Sequence, residues 1–267
     1  MRLILWLALS LSLPLQQAPA PVSPAPADSR IWIGRYAEFE DFLRTATIER
    51  SKTTEVGVLA PRHGYFAPGG LANGASVKKV PPGKRDGFWE SYKSEIAAYK
   101  LDRMLELDMV PPTVERRIDG EIVSVQLWIE DVKMLKDVKA QKLSAPDPGK
   151  WNRQLHRAYL FDNLVANIDE NEGNLLFDPQ WNFIKIDHSR AFTNTLVQPF
   201  EIGKRLVQID RPFFDGIKAL DKAAVGREIG DLLENGALNA LFVRRDNLVK
   251  AFEKLAAQKG ANQVFVP

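Results

Sequence analysis

The chain has 267 residues, which is enough for one two-lobed domain or two small domains with substantial hydrophobic cores. Its 36 basic and 34 acidic side chains leave a net charge of +2, so we expect no nucleic-acid partner and no strong attraction to acidic membranes. The sequence has no cysteine and three histidines, which excludes disulfides and thiolate sites and favours a hard cation held by oxygen ligands.

The N-terminus has the pattern of a secretory signal peptide, which we assign to residues 1–17. One basic residue, Arg2, precedes an apolar run that is too short to span a bilayer comfortably. Residues 18–29 alternate small residues with prolines and are typical of an extended linker. The sequence therefore predicts an exported protein, periplasmic or secreted, with no transmembrane span in the mature chain. An uncleaved anchor and a buried N-terminal helix are the alternatives.

Residues 30–127 are predicted to form a small lobe rich in β-structure. Apolar residues at helical spacing predict an amphipathic helix over residues 36–50. Short apolar runs in residues 53–80 predict two or three antiparallel strands. The glycines of this stretch either form turns or cover nucleotide phosphates, and no GxGxxG pattern is present. The expected turns are His63-Gly64, Gly69-Gly70 and Asn73-Gly74.

A lysine and a glutamate in this lobe have the order found in kinases. Lys78 ends a predicted strand, and Glu95 follows 17 residues later on a helix predicted over residues 88–107. In kinases, a strand lysine pairs with a helix glutamate and contacts the nucleotide phosphates. Two solvated surface charges are the simpler interpretation of these residues taken alone. Lys79 points to the opposite strand face from Lys78, so one of the two lysines should face the cleft.

The end of the small lobe is a predicted hairpin, residues 113–117 and 121–129, turned at Asp119-Gly120. The connector between the lobes begins at Gln126. A nucleotide base can lie there on apolar side chains such as Leu127 or Trp128. Packing in the strand interior explains these side chains equally well.

Residues 128–260 are predicted to form a mainly helical catalytic lobe, and its loop-hairpin unit carries three polar residues. Asp169 follows a buried helix over residues 151–166, Asn174 comes five positions later, and Asp187 thirteen beyond that. A hairpin between Asn174 and Asp187 brings these two residues to the same end. The spacing predicts Asp169 as the catalytic residue that receives or orients the acceptor hydroxyl, with Asn174 and Asp187 holding Mg²⁺ on the phosphates of ATP.

Three segments together resemble the atypical kinase-like group that includes phosphoinositide 3-/4-kinase-like proteins, HipA-like kinases and secretory-pathway kinases, and most closely its uncharacterised bacterial exported members. They read SYKSEIAAYKLDRMLELDMVPPTVERRIDG, FDNLVANIDENEGNLLFD and IKIDHSRAF. The resemblance covers about residues 53–252 and implies an α+β, two-lobed protein-kinase-like fold. By position it makes Asp169 catalytic, Asn174 and Asp187 metal ligands, and Glu95 the partner of the nucleotide-contacting lysine. Our choice for that lysine is Lys78, with the adjacent Lys79 as the alternative.

The sequence departs from this resemblance at two places. Glu170 stands where relatives often have arginine, and a carboxylate there should weaken phosphate binding unless it turns outward. His188-Ser189 replaces the usual phenylalanine and glycine after the metal-binding aspartate. We interpret His188 as a hydrogen-bonded structural histidine, with a proton shuttle or metal ligand as the alternatives.

The leading hypothesis is an ATP- and Mg²⁺-dependent phosphotransferase acting on a hydroxyl of a protein, lipid head group or sugar. A catalytically silent module that binds nucleotide or a protein partner is the alternative, and a hydrolase using Asp169 and Asp187 ranks last. The remaining helices, residues 209–220, 222–234 and 237–257, should complete the large lobe. We expect Arg244-Arg245-Asp246 among them to be a surface ion-pair cluster.

Overall fold

A computed structural model describes residues 29–53 and 61–267. The predicted signal peptide, residues 18–28 of the linker and the apolar run at 55–60 lie outside the described residues. The elements of the small lobe, in chain order, are α1 Tyr36–Thr45, β1 Ile48–Thr53, β2 Arg62–Phe66, β3 Gly74–Lys78, β4 Gly83–Arg85, β5 Phe88–Glu90, α2 Tyr92–Met104, β6 Thr113–Ile118 and β7 Glu121–Leu127.

The small lobe is built on an antiparallel sheet with the strand order β1-β2-β3-β7-β6. Side chains alternate across it, so Ala75, Val125 and Leu127 pack against α1 in one hydrophobic core. The intervening positions Ser76 and Lys78 pair with Gln126 and Ser124 and face the other way. One face of the sheet is therefore covered by α1, and the other presents Lys78 to the cleft.

Turn chemistry fixes the β6–β7 hairpin. Asp119 and Gly120 have φ values of 52° and 82°, the left-handed pair that a tight two-residue hairpin turn requires. The hairpin predicted at this position is confirmed. The turn predicted at His63-Gly64 is wrong, because both residues lie inside β2, where Gly64 pairs with Ser51 and Ala75.

Two helix predictions were too long. The first helix ends at Thr45, and residues 48–53, rather than continuing it, form β1. Helix α2 begins at Tyr92, because Phe88–Glu90 pairs with Gly83–Arg85 as a small hairpin. Ser91 then caps the helix by accepting a hydrogen bond from the backbone N–H of Lys93.

The large lobe is mainly helical and contains two small sheets. Its elements are β8 Lys133–Met134, α3 Leu135–Ala140, α4 Pro148–Val165, β9 Leu175–Phe177, β10 Phe183–Lys185, β11 Ile209–Asp210, α5 Arg211–Ala219, α6 Lys222–Ile229, a 3-10 helix Gly230–Leu232, α7 Ala237–Lys259, α8 Ala261–Val264 and β12 Phe265–Val266. The two-lobed α+β architecture is confirmed. Each helix in the described part of the chain is too short or too polar to cross a bilayer.

Arg244 is a core residue of this lobe. Its side chain is fully buried on α7 and donates hydrogen bonds to the carbonyls of Leu164, Thr193 and Thr195. The prediction of a surface cluster is wrong at this position, whereas Arg245 and Asp246 do form an ion pair that is partly exposed. Arg244 thus joins the end of α4 to the segment that follows Asp187.

Candidate active site

Lys78 and Glu95 meet in the cleft between the lobes. The Lys78 Nζ lies 2.6 Å from Glu95 Oε1, and both side chains are buried. Because both side chains are buried and paired, the alternative of two solvated surface charges is wrong. Lys79 does not reach the cleft; it points to the other strand face and pairs with Glu121 on the surface at 3.0 Å.

Asp187 contacts the same lysine. Its Oδ1 is 2.8 Å from Lys78 Nζ and accepts a hydrogen bond from Ser189 Oγ at 3.1 Å. Burial alone raises the pKa of Asp187, but the charge and hydrogen bond of Lys78 outweigh it and lower this pKa to about 2. The carboxylate is therefore ionised at neutral pH. Asp187 also has a φ of 63°, a left-handed conformation that is uncommon outside glycine.

The loop between α4 and β9 positions Asp169 and Asn174. It begins at Ala166, which closes the helix in a left-handed conformation, and it presents the Asp169 side chain to solvent, 54% exposed. The Asn174 carbonyl accepts a hydrogen bond from Ile186 N at 3.1 Å. The β9–β10 hairpin thus places Asn174 beside the residue that precedes Asp187.

Glu170 turns inward. Its side chain is 4% exposed, and its carboxylate pairs with the ammonium group of Lys185, which also lies 2.9 Å from Asp162. Burial lowers the pKa of Lys185, while burial raises the pKa of Asp162. Glu170 therefore does not turn outward, and Lys185 balances its charge inside the lobe. This buried triad joins the loop, α4 and β10.

The sequence allows Arg190 to face the phosphates, with pairing to a nearby carboxylate as the simpler interpretation, and the structure shows the carboxylate pairing. Its Nη1 lies 3.1 Å from Asp169 Oδ2, and its Nε and Nη2 each lie 2.7 Å from Glu90 Oε1. The guanidinium also packs 4.5 Å from the ring centre of Phe88. Glu90 precedes Arg190 by 100 positions, so no local spacing could have identified this contact.

The connector residues have different surroundings from one another. Gln126 is buried and donates a hydrogen bond to Thr113 Oγ1 at 2.9 Å, and Leu127 packs into the core beneath α1. Trp128 stacks on His63, with ring centres 3.8 Å apart. Trp128 therefore presents an aromatic ring at the connector, whereas the side chain of Gln126 is engaged in a hydrogen bond within the sheet.

His188 is fully buried behind Asp187. Its backbone N–H donates to Glu95 Oε2 at 3.0 Å, but neither ring nitrogen has a hydrogen-bond partner among the described residues. Burial keeps the pKa of His188 well below its usual value, so the ring is neutral. The prediction of a hydrogen-bonded ring is wrong, and the ring packs edge-on against Phe161 at 5.9 Å.

A hard divalent cation fits Asp187 and Asn174. The Asp187 carboxylate is ionised and its side chain is 36% exposed. Asn174 is half-buried, and its backbone carbonyl accepts a hydrogen bond from Ile186, the residue before Asp187. One carboxylate and one amide are an ordinary protein contribution to a Mg²⁺ site, in which water and phosphate oxygens complete the shell. The described residues contain no cluster of three or more histidine and carboxylate side chains able to hold a metal ion alone.

Comparison with known proteins identifies the fold. No family model and no curated protein matches the sequence. The crystal structure of the Golgi casein kinase, also solved with Mn/ADP bound, matches with a TM-score of 0.65 and 14% identity over 86% of this chain and 77% of that chain. Hydra Fam20, solved with sugar, gives a TM-score of 0.64 at 15% identity, covering 86% of this chain and 92% of that chain.

A bacterial structure extends the comparison. The Helicobacter pylori proinflammatory kinase CtkA matches with a TM-score of 0.56 and 13% identity, over 81% of this chain and 98% of that chain. These similarities concern the fold, since the sequence identities are low. The described chain therefore has a two-lobed, kinase-like fold.

Proposed function

We propose that this protein is an ATP- and Mg²⁺-dependent phosphotransferase that acts on a hydroxyl acceptor. The observation that carries the proposal is the meeting of Lys78, Glu95 and Asp187, from three separate parts of the chain, in the cleft of a kinase-like fold. The Mn/ADP complex of the Golgi casein kinase supports nucleotide and divalent cation as ligands. The Golgi location of that kinase agrees with the predicted export of this chain, which stays a prediction.

In the proposed reaction, each residue has a role set by its position. Lys78, held by Glu95, donates hydrogen bonds to the nucleotide phosphates. Asn174 and Asp187 would hold Mg²⁺, which neutralises charge on the phosphates when bound. Asp169, exposed on its loop, orients the acceptor hydroxyl and takes its proton as the acceptor oxygen bonds to the γ-phosphorus and ADP leaves.

The decisive experiment uses the full chain and two adjacent lysines. Binding of ATP with Mg²⁺ is measured by thermal shift and calorimetry, and turnover by ADP release with water or added hydroxyl compounds as acceptor. Lys78→Ala should abolish binding, whereas Lys79→Ala, which removes an exposed surface charge, should leave it unchanged. If wild type shows no Mg²⁺-dependent binding, the proposal fails.

A silent nucleotide-binding module is the second candidate. The observation that favours it is the direct contact between Lys78 Nζ and Asp187 Oδ1, which occupies one of the carboxylate oxygens that a metal ion would need. Such a module would bind ATP without turning it over, and Asp187→Ala would leave its binding largely intact. A phosphotransferase would lose Mg²⁺-dependent turnover in the same variant.

A further inference from the structure

Arg190 occupies a place beside Asp169 that ion pairing alone does not explain. Glu90, which is 1% exposed, already balances the arginine charge through Nε and Nη2. The third contact, from Nη1, is to Asp169, whose side chain is 54% exposed. Arg190 therefore reaches from a buried anchor to the solvent side of the cleft.

The anchor of Arg190 is built by the small hairpin β4–β5. Glu90 ends β5, and the next residue, Ser91, donates its backbone N–H to the carbonyl of Ser189 at 2.9 Å. This bond holds the hairpin against the residue that precedes Arg190. With Nε and Nη2 fixed on Glu90 and the guanidinium packed on Phe88, Nη1 is the part of the group that can exchange partners.

Charge around Asp169 indicates what Nη1 would bind. The acceptor hydroxyl and the transferred phosphoryl group meet at the catalytic aspartate, and negative charge spreads over the phosphoryl oxygens during transfer. The residue next to Asp169 is Glu170, a carboxylate paired with Lys185, so it adds no positive charge beside Asp169. A guanidinium nitrogen 3.1 Å from Asp169 is within hydrogen-bond reach of a group that touches that carboxylate.

We propose that Arg190 is a further catalytic residue, which donates hydrogen bonds to the γ-phosphoryl oxygens and distinguishes a nucleoside triphosphate from a diphosphate. This inference rests on the proposed function. During transfer, the acceptor oxygen bonds to the γ-phosphorus, the bond to the β–γ bridging oxygen breaks with its electron pair leaving on ADP, and the acceptor proton goes to Asp169. Arg190 keeps its protons throughout and only shifts Nη1 from Asp169 to phosphate.

The test compares affinities for a non-hydrolysable ATP analogue and for ADP, each with Mg²⁺, by calorimetry on the full chain. Arg190→Gln should weaken binding of the triphosphate analogue about tenfold or more, the value of one charge-assisted hydrogen bond, and leave ADP affinity nearly unchanged. Turnover should fall on the order of 10²-fold or more, and free guanidinium ion should restore part of it in Arg190→Ala. Arg85→Gln is the control, because Arg85 approaches the same Glu90 from 3.8 Å without contacting Asp169.

The outcomes separate the two proposals. If wild type prefers the triphosphate and Arg190→Gln keeps the same preference, Arg190 has a structural role and this inference is wrong. If wild type binds neither nucleotide, the proposed function falls and this inference falls with it. Should Arg190→Gln fail to fold, Arg190→Lys decides the question, because it retains the charge facing Glu90 but not the two-pronged geometry.

Discussion

Glu95 binds two parts of the chain at once: its Oε1 accepts a hydrogen bond from Lys78 Nζ at 2.6 Å, and its Oε2 accepts one from the backbone N–H of His188 at 3.0 Å. Helix α2 is thereby connected both to the strand that carries Lys78 and to the segment that carries Asp187. The position of α2 and the geometry of the candidate site are consequently linked through a single carboxylate.

Glu95→Ala should therefore destabilise the protein strongly. Removing one partner of a buried ion pair leaves Lys78 with a single carboxylate, at a cost of about 3 kcal/mol or more in the free energy of unfolding. Glu121→Ala, which breaks the exposed pair with Lys79, is the matched control and should change stability by about 0.5 kcal/mol or less. Denaturant unfolding measures both, and equal effects would contradict the buried pairing.

Lys185→Met should leave two buried carboxylates, Asp162 and Glu170, without their cation. We expect a loss of about 3–5 kcal/mol in unfolding free energy. Adding Asp162→Asn and Glu170→Gln to the Lys185→Met variant should recover much of this loss, because no buried charge then remains unpaired. A triple variant as unstable as the single one would show that the triad contributes through packing.

Stability should fall with rising pH because of Asp102. This fully buried carboxyl has its pKa raised to about 8, chiefly by burial, against an ordinary value near 4. The folded state thus binds a proton that the unfolded state has released, so stability is greatest below about pH 4 for this group and is lost as pH rises to about 8.

Asp102→Asn should remove that pH dependence. The carboxamide keeps an oxygen that can accept the hydrogen bond from Met109 N, but it does not titrate. Unfolding free energies at pH 5 and pH 8.5 should differ by on the order of a few kcal/mol more in wild type than in the variant. Identical pH slopes would show that Asp102 is charged in the folded protein.

Arg244→Met should destabilise the large lobe by about 3 kcal/mol, because the carbonyls of Leu164, Thr193 and Thr195 lose a charged donor. Arg245→Met, on the same helix and partly exposed, is the control and should have a much smaller effect. Urea unfolding of the two variants checks the difference, and similar stabilities would contradict the role given to Arg244.

Local patterns predicted much of the fold. The β6–β7 hairpin was predictable because Asp119-Gly120 has the required backbone freedom, and the order of Lys78 and Glu95 was visible as a spacing. The β4–β5 hairpin was missed because its strands have three residues each and the second strand runs directly into helical periodicity. Propensity windows average over such short elements.

Long-range pairing was the part that the sequence could not give. Lys185 reads as a polar residue in a short strand, yet it is fully buried because Asp162 and Glu170 converge on it from 23 and 15 positions away. The choice between Lys78 and Lys79 depended on which strand face α1 covers, and this is a tertiary contact. The position of Arg190 could be predicted only from its contact with Glu90, and Glu90 belongs to the β4–β5 hairpin, which was not predicted.

The three carbonyl contacts of Arg244 bear on how such a protein would be controlled. Many kinases are switched by a segment after the metal-binding aspartate that swings between two positions. Here Arg244 fastens that segment at Thr193 and Thr195 to the end of α4, and Phe192 N donates to the carbonyl of Val165 at 2.6 Å. Under the proposed function, a segment held in this way favours a permanently assembled site, whose output would follow the supply of nucleotide and acceptor.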